Sequence, residues 1–227
     1  KAGSVAQKIG DLYGSFMDQA RADELGIAPI ELDLSRALGI TNVQDFHQVL
    51  GDFEGRGLGA IFYQYITTDN MDSNTNIAYI GQSGLSLPDE AYYREDEFAQ
   101  IRSDFVEHVA KMFTLARIEN PESRARKILE LESQIASKHW DQVKDRDALL
   151  TYNKMSFAQL KAASPGFDWE TWLKTSKTPT KVMDSVIVRQ PSFFTGIGEL
   201  LKEFDLEAWS SWLAWHLLSG VSPYLSS

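Results

Sequence analysis

The chain has 227 residues, 43% of them hydrophobic and 11% aromatic, with six tryptophans. That is ample for one large, bulky core and unlike the composition of disordered chains. The formal net charge is −10, and no Lys/Arg row follows any predicted helix, which excludes a phosphate-reading nucleic-acid face. The absence of cysteine removes disulfides, thiolate metal sites and a cysteine nucleophile together. It fits a reducing compartment or a bacterial protein exported without disulfides. No apolar run approaches the roughly 18 to 20 residues of a membrane span, and no basic stretch followed by an apolar leader is visible.

KAGSVAQKIGDLYGSFMDQA begins already inside a helical pattern, so the sequence is expected to be a piece of something longer. Val5, Ile9, Leu12, Tyr13, Phe16 and Met17 fall on one helical face. Gly26 and Pro29 end that pattern, and IELDLSRAL follows as a short segment. Thr41 or Asn42 can cap NVQDFHQVLGDF, which the glycines of EGRGLG close. IFYQYITTD and NIAYI read as strands of a β-hairpin at about 61–81. GQSGLSLPDEAYY then turns the chain toward a helix with Asp89 as its cap. A helix from about Phe98 to Arg117 carries an apolar stripe of Phe98, Ile101, Phe105, Val109, Met112, Phe113 and Ala116. Asn120 and Pro121 open the next helix, which buries Ile128, Leu129, Ile135 and Ala136. KDRDALLTYNKMS is a break, and SFAQLKAA and PGFDWETWL are short helices. DSVIVRQ is a brief extended segment, and PSFFTGIGELLKEF and the amphipathic DLEAWSSWLAWHLLSG are the last two helices. The expected fold class is mainly α: a multi-helical single domain over 1–227 with a small β-hairpin insertion.

The chemistry-bearing residues form no recognised constellation. His47, His108, His139 and His216 lack partners at metal-ligand spacing, and H-E-x-x-H is absent. His108 reads as a half-buried, hydrogen-bonded residue beside the apolar stripe. Asp72, Asn74 and Asn76 copy the first ligands of a calcium loop. Ile77 stands where the loop needs Gly, however, and Ser83 where it needs Glu, so a hairpin turn is the better reading. No G-x-S-x-G elbow exists, and Ser210 and Ser211 sit on a helix without a nearby base. EGRGLGA lacks the Lys-Ser/Thr ending of a phosphate loop. The acids Asp89, Glu90, Glu95, Asp96 and Glu97 cluster at a helix start, where the helix dipole favours them. Trp209, Trp212 and Trp215 read as core.

Several blocks taken in order nevertheless form a set. NIAYIGQSGLSLPDEAYY resembles the neprilysin and endothelin-converting-enzyme family of zinc metalloendopeptidases, in which G-L-x-L-P-(D/S)-x-x-Y-Y follows a strand pair bearing T-D-(D/N). Here Gly84, Leu85, Leu87, Pro88, Asp89, Tyr92 and Tyr93 match it, after Thr68 and Asp69. Leu131, Glu132, Ile135 and Ala136 are similar to a further helical motif of the family. Arg146-Asp147, Tyr152-Asn153-Lys154-Met155, Phe167 to Trp169, VIVRQPSFF and WSSWLAWHLLSGVSPYL follow in register. The resemblance spans about Val5 to Leu225.

The family's H-E-x-x-H, its later E-x-x-x-D and its N-A-(F/Y) motif are not in this sequence, and in the family they lie C-terminal to the matched region. The resemblance therefore implies the N-terminal, non-catalytic helical lobe of a zinc enzyme. Such a lobe caps the active-site cavity and limits substrates to peptides of restricted size. It implies zinc in the parent enzyme but no cofactor in this chain. It gives this chain no catalytic, cofactor-binding or metal residue, and makes the C-terminal catalytic lobe its partner. Animal members are rich in disulfides, so the lack of cysteine points to a bacterial relative. Two other classes remain open on sequence: a free-standing helical binding or scaffold domain, and a hydrolase using the acids near Asp89.

Overall fold

The computed structural model describes residues 2–58, 61–203 and 205–226. Its first element, α1 (Val5–Met17), starts where Ser4 Oγ accepts from the Gln7 amide, and α2 (Gln19–Leu25) is capped by Asp18. Neither buries a residue. The body begins at α3 (Glu31–Leu38) and α4 (Val43–Gly55). Asn42 supplies the α4 cap, its Oδ1 accepting from the Asp45 amide at 2.9 Å. Next come β1 (Phe62–Asp69), β2 (Asp72–Gln82), α5 (Ala91–Arg94), α6 (Ala99–Leu115), α7 (Pro121–Ala136) and α8 (Gln142–Asp145). They are followed by β3 (Lys154–Met155), α9 (Phe157–Ala163), α10 (Trp169–Ser176), β4 (Val186–Val188), α11 (Pro191–Lys202) and α12 (Leu206–Val221). The fold is mainly α.

The hairpin is present, but it does not stand alone. The strands form one sheet in the order β1-β2-β4-β3. VIV of the brief extended segment runs parallel to β2, pairing Ala78 with Val186 and Ile80 with Val188. KM from the expected break closes the far edge, antiparallel to β4. Burial explains the arrangement. Val186, Ile187 and Val188 are buried throughout, as a β-branched strand covered on both faces should be. Within the hairpin Tyr63 lies opposite Gly81. A Cβ at Gly81 would fall 2.3 Å from the Tyr63 ring, so the glycine is where that ring packs.

α12 is the axis of the core. It packs against α3, α4, α6 and α7, and Ala208 through Trp215 are all buried. This corrects the amphipathic reading: a helix without a charged face over these residues is enclosed on every side. Trp209, Trp212, Trp169 and Trp172 are fully buried, with Trp209 4.9 Å from Phe46 and Trp172 5.2 Å from Phe62 between ring centroids. The three tryptophans expected in the core on α12 are there.

Smaller expectations fail for local reasons. The stripe on α6 loses Ile101, which is 39% exposed. Phe98 precedes that helix and stacks on Tyr92 at 4.1 Å. His108 is exposed rather than half-buried; its ring meets Trp215 edge-on at 5.7 Å. Asn120 adopts a left-handed conformation (φ 55°) with no side-chain cap bond, so α7 starts with Pro121 in its first turn and without a side-chain cap. Asp89 accepts from the Ala91 amide at 3.0 Å one residue ahead of the cap position, which Glu90 occupies.

Candidate functional site

The turn Gly81–Tyr93 is where the chain's polar groups are most densely organised. Gly84 holds φ at +90°, a conformation glycine adopts without a Cβ penalty, and its carbonyl accepts from Trp212 Nε1 at 3.1 Å. The next residues converge on Glu132 of α7, whose side chain has no exposed surface. Glu132 Oε2 accepts from Tyr93 OH at 2.5 Å and from the Ser86 amide at 2.9 Å. Its Oε1 accepts from Ser86 Oγ at 2.7 Å and lies 3.0 Å from His216 Nε2. Trp215 Nε1 donates to Ser86 Oγ at 2.8 Å. Burial, reinforced by the adjacent carboxylate, pushes the Tyr93 phenol far above its ordinary range, so it remains a donor.

Serine, glutamate and histidine side by side invite comparison with a hydrolytic triad. The connectivity rules that out. In a triad the imidazole bonds the nucleophile and the carboxylate orients the imidazole. Here the carboxylate lies between the other two, and Ser86 Oγ donates its hydrogen bond to Glu132 with no imidazole beside it as base. The cluster is a clamp that fixes the turn to α7 and α12.

Other sequence blocks meet in the same fashion. Asp69, with no exposed side-chain surface, pairs with Lys154 Nζ at 2.9 Å and accepts from Tyr152 OH at 2.8 Å and the Met71 amide at 2.9 Å. The Lys154 ammonium and these donors hold its carboxyl down at about 2. Gln82 exchanges bonds with the Trp140 backbone, and its amide donates to Gln190 Oε1 at 2.9 Å. His139 Nε2 donates to the Ser83 carbonyl at 3.0 Å, and burial lowers its pKa. His47, also lowered by burial, donates from Nδ1 to the Val43 carbonyl and accepts at Nε2 from the Asp168 amide. Glu54 accepts from the Ile61 amide and Trp172 Nε1, and burial pushes it up to about 8 against those two bonds.

The four histidines are thus dispersed. Among the described residues no three His, Asp or Glu side chains gather into a group that could hold a metal. Asp72 accepts from the Asn74 amide and Thr75 Oγ1 in a local turn. Glu90 and Glu95 pair with Arg94, and Asp89 accepts from Gln142 Nε2 at 2.5 Å. Ser210 donates to the Glu207 carbonyl and Ser211 accepts from Arg124. The phosphate-loop candidate ends at Gly59 and Ala60, outside the described residues.

The blocks that meet in space are those that carry the family resemblance, and a direct comparison decides their meaning. The N-terminal profile of Peptidase family M13 matches residues 1–227. The chain belongs to peptidase family M13. Endothelin-converting enzyme 1 of Homo sapiens is 25% identical over 226 residues, which cover 94% of this chain and 29% of that relative. The crystal structure of the Mycobacterium tuberculosis zinc metalloprotease ZMP1 in complex with inhibitor aligns with a TM-score of 0.94 at 34% identity. That alignment covers 100% of this chain and 35% of that one. PepO from Lactobacillus rhamnosis HN001 shares the fold, with a TM-score of 0.74 at 19% identity over 95% of this chain and 35% of that one. The M13 chain described here spans about a third of the length of these relatives and corresponds to their N-terminal part.

Sequence reasoning found the M13 blocks but missed what they do. Glu132 was one position in a helical motif, and nothing local marks it as the group on which the Gly81–Tyr93 turn and α12 converge. Glu54 carried no signal at all. Its burial follows from α4 packing on α10, a contact between segments more than a hundred residues apart.

Proposed function

We propose that this chain is the non-catalytic helical lobe of an M13 zinc metalloendopeptidase, capping the active-site cavity and restricting entry to peptides of limited size. The observation that carries the proposal is the M13 match over residues 1–227 in a sequence without H-E-x-x-H. The donor groups present do not fit a catalytic zinc: His47 and His139 are committed to backbone partners, and His216 faces Glu132 inside the clamp. Zinc and the peptide-cleaving chemistry belong to the remainder of the polypeptide, and no residue here takes a catalytic, cofactor or metal role. The residues of the clamp and of the Asp69 cluster instead hold the lobe in one shape, which a size filter requires.

The test compares the full-length protein with residues 1–227 alone. Metal analysis and a peptide-cleavage assay should give zinc and cleavage for the full-length protein and neither for the lobe. The full-length protein should cut short peptides and spare folded proteins. One tightly bound zinc in the lobe, or cleavage of folded proteins at a comparable rate, overturns the reading.

A further inference from the structure

The amino-terminal helix α1 stands outside the packed body. Val5, Ile9, Leu12, Tyr13, Phe16 and Met17 are between 58% and 74% exposed. At 100° per residue they fill a continuous arc, with Gln7, Asp11, Ser15 and Lys8 on the other side. The ring of Phe16 reaches Tyr224, at 6.0 Å between centroids, and Tyr224 is itself exposed. An isolated helix of this length is marginal in water, and Gly10 and Gly14 weaken it further. A Cβ at either glycine would meet nothing. Among the described residues only Tyr224 meets this face with a ring, and α1 buries no residue, so helical order here calls for a further partner. Beside α2 a groove of about 870 Å³ is lined by Ile27, Leu38, Ile118 and Leu225, and Leu25 and Leu115 at its rim are exposed and add to the uncovered apolar surface.

The choice of occupant follows from the relatives. ZMP1 aligns over the whole of this chain, α1 included, yet about two-thirds of its own chain lies outside the alignment. We propose that the apolar face of α1 is a docking surface for that remaining part of the same polypeptide. α1 then acts as an arm by which the helical lobe grips the rest of the enzyme. The inference rests on the lobe reading above.

The test uses the full-length protein. Leu12→Cys and Phe16→Cys are introduced singly, with Asp11→Cys on the opposite face as reference, and maleimide labelling of the α1 peptide is followed by mass spectrometry. Positions 12 and 16 should label at least about tenfold more slowly than position 11, as expected for a closed interface. Equal rates overturn the proposal. Protection that disappears on dilution assigns the face to a second copy of the protein and overturns it as well. As an independent measurement, Leu12→Asp combined with Phe16→Asp should speed amide exchange across residues 5–17 and leave α4 and α12 protected. Unchanged exchange over 5–17 counts against the proposal. Both readouts report burial whether or not the protein cleaves peptides, so their failure is separable from failure of the lobe reading.

Discussion

Glu132 shows how one buried carboxylate organises a region. Tyr93 and Ser86 reach it from the turn and His216 from α12, and truncating the acceptor strands their polar groups around an apolar hole. Glu132→Ala is expected to destabilise the chain by about 3–5 kcal/mol, read as a shift in the urea midpoint. Asp69 gives a prediction in pH instead. Its folded pKa of about 2 lies below the ordinary 3.8, so the folded state binds fewer protons than the unfolded one across that interval. The resulting stability is fully present above 3.8 and is lost as pH falls toward 2. Asp69→Asn should therefore be least stable relative to the parent above pH 4, and the gap should narrow as pH falls from about 4 to about 2, measured by denaturation at each pH. A gap that widens on acidification would contradict the ion-pair origin of the shift. Both residues were visible in the sequence as motif positions. Their roles were not, because the side-chain donors that define them lie between 39 and 85 residues away.

Elements met by local signals were legible, and elements met by distant partners were not. The α4 cap at Asn42, the period of α6 and the hairpin strands are written within a few residues of themselves. The parallel partner of β2 is three residues long, and nothing in VIV announces which strand it joins. The enclosure of α12 was misread for a similar reason: its serines look polar in sequence and are buried in contact with neighbours such as Arg124. Close approach between elements is equally silent. Gly166, in the turn before α10, has its backbone against α11, where an added Cβ would lie 1.8 Å from the Gly198 carbonyl oxygen. Backbone must move to admit it, so Gly166→Ala should lower stability by about 1–3 kcal/mol, read as a drop in thermal midpoint. An unchanged midpoint would mean that α11 can slide away from that turn without loss.

For the whole molecule the central contrast is between a tightly tied body and an untied arm. The body joins its sequence blocks by buried polar clamps and an aromatic core, as the proposed role of a rigid cap requires. The arm leaves an apolar face open, which suits attachment to something else. The sequence offered no candidate catalytic group to place, since H-E-x-x-H, E-x-x-x-D and N-A-(F/Y) do not occur in these residues. The sheet adds a matter of timing. Gln82 at the end of β2 bonds to Gln190 just past β4, across 108 residues. On a ribosome adding roughly 5–20 residues per second, β2 waits about 5–20 s for the strand that completes its inner edge. During that wait the hairpin is a two-stranded ribbon with an unpaired edge, open to the wrong neighbour. Shelter of that edge until β4 arrives is thus a demand on the newborn chain that the finished fold no longer shows.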